Sequence, residues 1–149
     1  MKTTLQDIAN WVPLAQMESA SDKVYLERIQ GAMEVDLPHQ DLVLIPYIGR
    51  PELVEYSSDE LIALCPVTFL PDIYKVRIRY VPGKVIPELK SLKYHFLDYA
   101  KLPISHEHLA SRIYAQFKEQ VQPVALHVIL DVAVRGGIKT TVSIGAETL

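Results

Sequence analysis

Apolar and polar positions divide the chain into a weakly patterned first third and a strongly patterned remainder. From Ile73 onward Val76, Ile78 and Tyr80 alternate with Lys75, Arg77 and Arg79, the period of two expected of a strand with one buried and one basic face. Pro82-Gly83 ends that strand. Pro87 suits a first helical turn, and Leu89, Leu92, Phe96 and Tyr99 recur at helical spacing to about Lys101. A second helix is predicted from Ser105, a suitable N-cap, because Leu109, Ile113 and Phe117 follow in steps of four. Residues 124–134, rich in Val, Leu and Ile, predict a strand that Arg135-Gly136-Gly137 turns into another over 138–144. The order is strand, two helices, then a hairpin, which is an α+β arrangement.

The first third is less regular. Ile8, Trp11, Val12 and Leu14 cluster, Pro13 interrupts them, and Ser19-Ala20-Ser21-Asp22 offers a restart before Val24, Leu26 and Ile29, so one or two short helices are expected. The stretch 38–51 carries three prolines around Leu42-Val43-Leu44-Ile45 and reads as a short strand or a packed crossing segment.

A chain of 149 residues fits one domain, 1–149, and buries a core without disulfides or a structural metal. No apolar run approaches the ~18 residues that span a bilayer, so no membrane anchor is expected. A formal charge of −3 argues against a general nucleic-acid coating role. The first residues lack a secretory pattern and the chain has a single cysteine, which together predict a reducing, cytoplasmic setting.

That cysteine carries the main chemical clue. In Cys65-Pro66-Val67-Thr68-Phe69-Leu70-Pro71-Asp72 a potential nucleophile and a potential proton donor flank a proline-bracketed turn. The residues alone leave two readings open, since free cysteine is commonly an inert small hydrophobe and aspartate after proline commonly stabilises a turn. His106-Glu107-His108 supplies too few ligands for a zinc site, and His39, His95 and His127 lie far apart, so no metal is expected. Lys90 and Lys93 share one helix face, where lysines are ordinarily solvated surface.

Four motifs occur in order: Cys65 to Asp72, then Glu88-Leu89-Lys90-Ser91-Leu92-Lys93-Tyr94, then Ser105-His106-Glu107, then Arg135-Gly136-Gly137-Ile138. Together, over about 52–144, they resemble the 7-cyano-7-deazaguanine reductase family, the NADPH-dependent nitrile reductases of queuosine biosynthesis, a tRNA modification. Residues 1–50 stand outside as an N-terminal extension. The resemblance implies a tunnelling fold, an antiparallel sheet with two helices on one face, whose copies assemble into a multi-subunit barrel. It implies a covalent thioimide on Cys65 with Asp72 carrying protons. It also makes His106 a catalytic and substrate contact, and Glu60 and Glu107 acceptors for the deazapurine. NADPH would be held by Lys90, Ser91, Lys93, Arg135 and Gly136. The partners implied are the small deazapurine substrate and further copies of the chain in a cyclic homo-oligomer, with active sites at subunit boundaries and no direct nucleic acid or membrane contact.

The chain departs from the family pattern at Phe69-Leu70 in the cysteine loop, at His95 after the lysine motif, and at Leu61-Ile62-Ala63 before the cysteine. Two other activities fit related sequences. One is an amidinotransferase acting on deazaguanine-modified tRNA, of the archaeosine type; the other is a non-catalytic or pterin-binding tunnelling-fold protein. The complete lysine motif favours the reductase over the transferase, and Cys65 with Asp72 favours both over a binding protein.

Overall fold

The computed structural model describes residues 2–146 and 148–149. Its main sheet has four antiparallel strands in the order β2-β3-β5-β6, formed by Val54–Leu64, Pro71–Val81, Ala125–Arg135 and Ile138–Gly145. The short strands β1, Leu44–Pro46, and β4, Val85–Pro87, pair separately. Between the two hairpins run α3, Leu89–Leu97, prolonged by a 3-10 turn over Asp98–Lys101, and α4, His106–Val121.

Alternation along β3 places Tyr74, Val76, Ile78 and Tyr80 on the buried face. Leu126, Val128, Leu130 and Val132 of β5 continue it, and Leu92 and Phe96 of α3 with Leu109, Ile113 and Phe117 of α4 belong to the same core. Each fully buried side chain of this size contributes ~1.5–3 kcal/mol. Arg77 and Arg79 lie on the opposite face, beside Glu55 at 3.9 and 3.5 Å.

Two details differ from the sequence expectation. Pro87 closes β4 rather than starting a helix, and Glu88 is the N-cap of α3, its carboxylate accepting from the Lys90 and Ser91 amides at 2.7 and 2.8 Å. Strand β2 has no counterpart in the predicted order, so the helices lie between two hairpins. Its register explains why: Ser58 pairs with Val76 but Leu61 with Tyr74, so Asp59 and Glu60 together oppose Lys75 in a bulge. The bulge breaks the alternation of two that marks a strand, amid polar residues that read as a loop.

The N-terminal residues pack onto this body. Helix α1, Leu5–Ala9, carries a capping box between Thr4 and Asp7, a 3-10 turn follows over Leu14–Gln16, and α2 runs Asp22–Glu34 from its Ser21 cap. Ile8, Ala32, Val35, Leu37 and Leu42 join the main core. Arg112 of α4, 2% exposed, donates to the carbonyls of Ala32 and Val35 at 2.7 and 2.6 Å. A guanidinium there satisfies otherwise orphaned carbonyls and meets the negative end of the helix dipole.

Candidate active site

The cysteine loop is held from three sides. At its base the Cys65 amide donates to the Leu70 carbonyl at 2.9 Å and the Phe69 amide to the Cys65 carbonyl at 2.7 Å, closing a tight turn. On one flank Leu64 exchanges backbone hydrogen bonds with Leu102 and Ile104. On the other, the Leu14 and Ala15 amides donate to the carbonyls of Pro66 and Val67 at 3.2 and 2.8 Å, so the N-terminal extension fastens the outside of the loop. The turn requires Phe69 to adopt φ +60°, the left-handed region that costs a side-chain-bearing residue ~1–2 kcal/mol.

Asp72 follows from strand parity. It pairs with Ala63 and sits two residues from Tyr74 on the inward face of β3, which leaves its side chain 6% exposed. An interior carboxylate requires partners. Arg135, arriving at the end of β5, donates to its Oδ1 at 2.7 Å and to the Pro71 carbonyl at 3.1 Å. His106, the first residue of α4, places Nδ1 3.9 Å from Asp72 Oδ2, beyond hydrogen-bond range, and 2.7 Å from the Tyr74 hydroxyl. Cys65, Asp72, His106 and Arg135 line one open pocket of about 280 Å3. A thiol, a carboxyl, an imidazole and a guanidinium around one concavity supply a nucleophile, two proton carriers and an anchored positive charge.

The remaining candidates lie elsewhere in the chain. Glu60, on the β2 bulge, and Lys93, on α3, line a different pocket of about 340 Å3. Glu107 is exposed, next to His106. Lys90 is exposed, with its ammonium 5.9 Å from the Tyr94 ring. The Ser91 hydroxyl donates to the Glu88 carbonyl at 2.7 Å and accepts from the Val43 amide at 3.0 Å, tying the start of α3 to the segment before β1. Gly136 and Gly137 form the exposed β5–β6 turn with φ +60° and +78°, where an added Cβ would meet nothing within 4 Å. The donor set suits a dinucleotide phosphate, two ammonium groups and a guanidinium, but in one chain Arg135 lines one pocket and Lys93 another, and Lys90 is exposed at the start of α3.

His95 belongs to the core. Its Nδ1 faces the His39 carbonyl at 3.1 Å and its Nε2 the Tyr99 hydroxyl at 3.2 Å, and burial holds its pKa below the ordinary histidine value. His108 pairs through Nδ1 with Ser105 Oγ at 2.6 Å, a different partner from that of His106. Sequence reasoning missed Tyr74 beside the pocket. Its position two residues after Asp72 on an alternating strand was the available signal.

A family model described as QueF-like protein matches residues 71–148. A curated NADPH-dependent 7-cyano-7-deazaguanine reductase of Caldanaerobacter subterraneus subsp. tengcongensis is 38% identical over 121 residues, 79% of this chain and 90% of that protein. Proteins of the same name from Pelodictyon phaeoclathratiforme and Thermotoga maritima are 42% and 35% identical, spanning 67% and 87% of this chain and 87% and 93% of theirs. Among solved structures, an archaeosine synthase QueF-Like in the apo form superposes with a TM-score of 0.61 at 22% identity, over 66% of this chain and 96% of that one. That likeness concerns the fold.

Proposed function

Since the chain belongs to the QueF-like family, that of the 7-cyano-7-deazaguanine reductases, we propose that it reduces the nitrile of 7-cyano-7-deazaguanine to an aminomethyl group with NADPH. The observation that carries this reading is the meeting of Cys65 with Asp72, His106 and Arg135 around one pocket. The Cys65 sulfur, as thiolate, adds to the nitrile carbon while a proton passes from the Asp72 carboxyl to the nitrile nitrogen, giving a thioimide. NADPH supplies the two hydrides that the four-electron reduction needs. After the first reduction the C–S bond breaks, the sulfur leaves as thiolate and an imine remains for the second. Asp72 and His106 hand protons to the nitrogen as it gains hydrogens, and Arg135 keeps the carboxylate in place.

The pocket lies at or below the small end of ligand sites, ~300–1,000 Å3, too little to enclose a deazapurine and a nicotinamide together. A second copy of the chain, contributing Glu60, Lys90 and Lys93 from its own α3 side, completes the site on this reading. The outer edges of β2, apart from Leu64, and of β6 have no strand partner among the described residues, which suits strand pairing between copies into a barrel. A reducing cytoplasm suits the free thiol. The amidinotransferase alternative rests on a fold likeness at 22% identity, whereas reductases are 35–42% identical.

Incubation with the nitrile alone should add its mass to the intact protein, and Cys65→Ala should abolish the adduct. With NADPH, the wild type should consume two cofactor molecules per aminomethyl product, and Asp72→Asn should lose at least about a hundred-fold in turnover. An adduct that persists in Cys65→Ala, or turnover of nitrile-bearing tRNA with an amine donor in place of NADPH oxidation, would overturn the assignment.

A further inference from the structure

Tyr74 is 2% exposed, and among the described residues its hydroxyl has a single partner, His106 Nδ1, at 2.7 Å. A neutral imidazole carries a proton on one nitrogen and a lone pair on the other, and the partner of the first decides the role of the second. If Nδ1 carried the proton and donated to Tyr74, the buried O–H would have no acceptor, an arrangement interiors avoid. The hydroxyl therefore donates, Nδ1 accepts, and the proton resides on Nε2, which has no partner among the described residues.

The surrounding charges support this assignment. Asp72 is the group that would otherwise draw a proton to Nδ1, but its Oδ2 stands 3.9 Å away and Arg135 holds its Oδ1 at 2.7 Å. Burial, followed by the nearby Asp72, Glu107 and Cys65, pushes ionisation of Tyr74 far above the usual tyrosine range, so the hydroxyl keeps the hydrogen it donates. His95 shows the opposite case. Its Nδ1 faces a carbonyl, which only accepts, so there Nδ1 carries the proton and Nε2 accepts from Tyr99.

We propose that Tyr74 is a positioning residue that locks His106 in the Nε2–H form, so that the wall of the Cys65 pocket offers a hydrogen-bond donor instead of an acceptor. Resting on the reductase reading, this restricts what His106 meets to an acceptor, such as the nitrile nitrogen or the ring carbonyl oxygen of the deazapurine. It disfavours the protonated aminomethyl product at the same place, because an ammonium only donates.

The test is the nitrogen-15 spectrum of the imidazoles in substrate-free protein under mildly alkaline conditions, with His106 identified by the signals that His106→Gln removes. Wild type should show the Nε2–H pattern for His106. Tyr74→Phe, which removes only the hydroxyl, should gain the Nδ1–H form and lose about ten-fold in kcat. An Nδ1–H pattern in wild type overturns the proposal, as does an unchanged tautomer or an unchanged kcat in Tyr74→Phe. If that variant fails to fold, the wild-type spectrum still decides. The spectra need no turnover, so a chain that failed to reduce the nitrile would defeat the functional reading separately.

Discussion

At the scale of single residues, backbone conformation and the company a side chain keeps matter more than its type. Phe69 holds φ +60° so that the loop carrying Cys65 can close. Comparing two truncations separates the backbone from the lost ring: Phe69→Gly should be more stable than Phe69→Ala by ~1 kcal/mol, measured by urea denaturation, because only glycine enters the left-handed region freely. Equal stabilities would show that the turn relaxes without strain. The sequence announced Cys65 and Asp72 through spacing, and parity explains why the aspartate is buried. The Tyr74–His106 contact was not legible, because the two residues are 32 positions apart and nothing local signals which nitrogen of a histidine faces a hydroxyl.

Among the elements, those with clean periodicity matched expectation: β3, α4 and the β5–β6 hairpin lie within a few residues of their predicted limits. Strand β2 escaped because its bulge switches the face of successive residues midway. The docking of α2 escaped for another reason, since it rests on a buried cation. Arg112 gives its guanidinium to two carbonyls and to Gln40 Oε1 at 3.2 Å, and a charged residue within a helical pattern normally marks the solvent side. Replacing it with methionine keeps much of the volume and strips the donors. Arg112→Met should cost about 2–4 kcal/mol in urea unfolding, and limited proteolysis should then cut first within residues 1–40. A variant as stable and as resistant as wild type would mean that apolar packing alone holds α2.

Across the whole molecule, the division of the candidate residues between two pockets yields a test that the sequence could not frame. Cys65 and Arg135 line one pocket of one chain, Glu60 and Lys93 another. If copies share sites, Cys65→Ala subunits mixed with Lys93→Ala subunits after dissociation should regain turnover, because some boundaries then join an intact Cys65 pocket to an intact α3. The same experiment with Cys65→Ala and Arg135→Ala should give none, since no chain in that mixture has a whole pocket. The reverse pattern, or full activity from a dilute monomer, would show that the pockets do not combine in this way.

The fastening of the cysteine loop by Leu14 and Ala15 also bears on the order of assembly. The segment bearing these residues leaves the ribosome well before α4, yet Arg112, which anchors the adjoining helix, lies 80 and 77 positions beyond the carbonyls it holds. Long closures of this kind form late. A nascent or half-folded chain therefore carries its thiol on an unfastened loop, and the outer clamp on that loop closes only after α4 has been made and has received α2. A segment made before α4 thus acts as a late latch, tying the geometry of the nucleophile to completion of the fold.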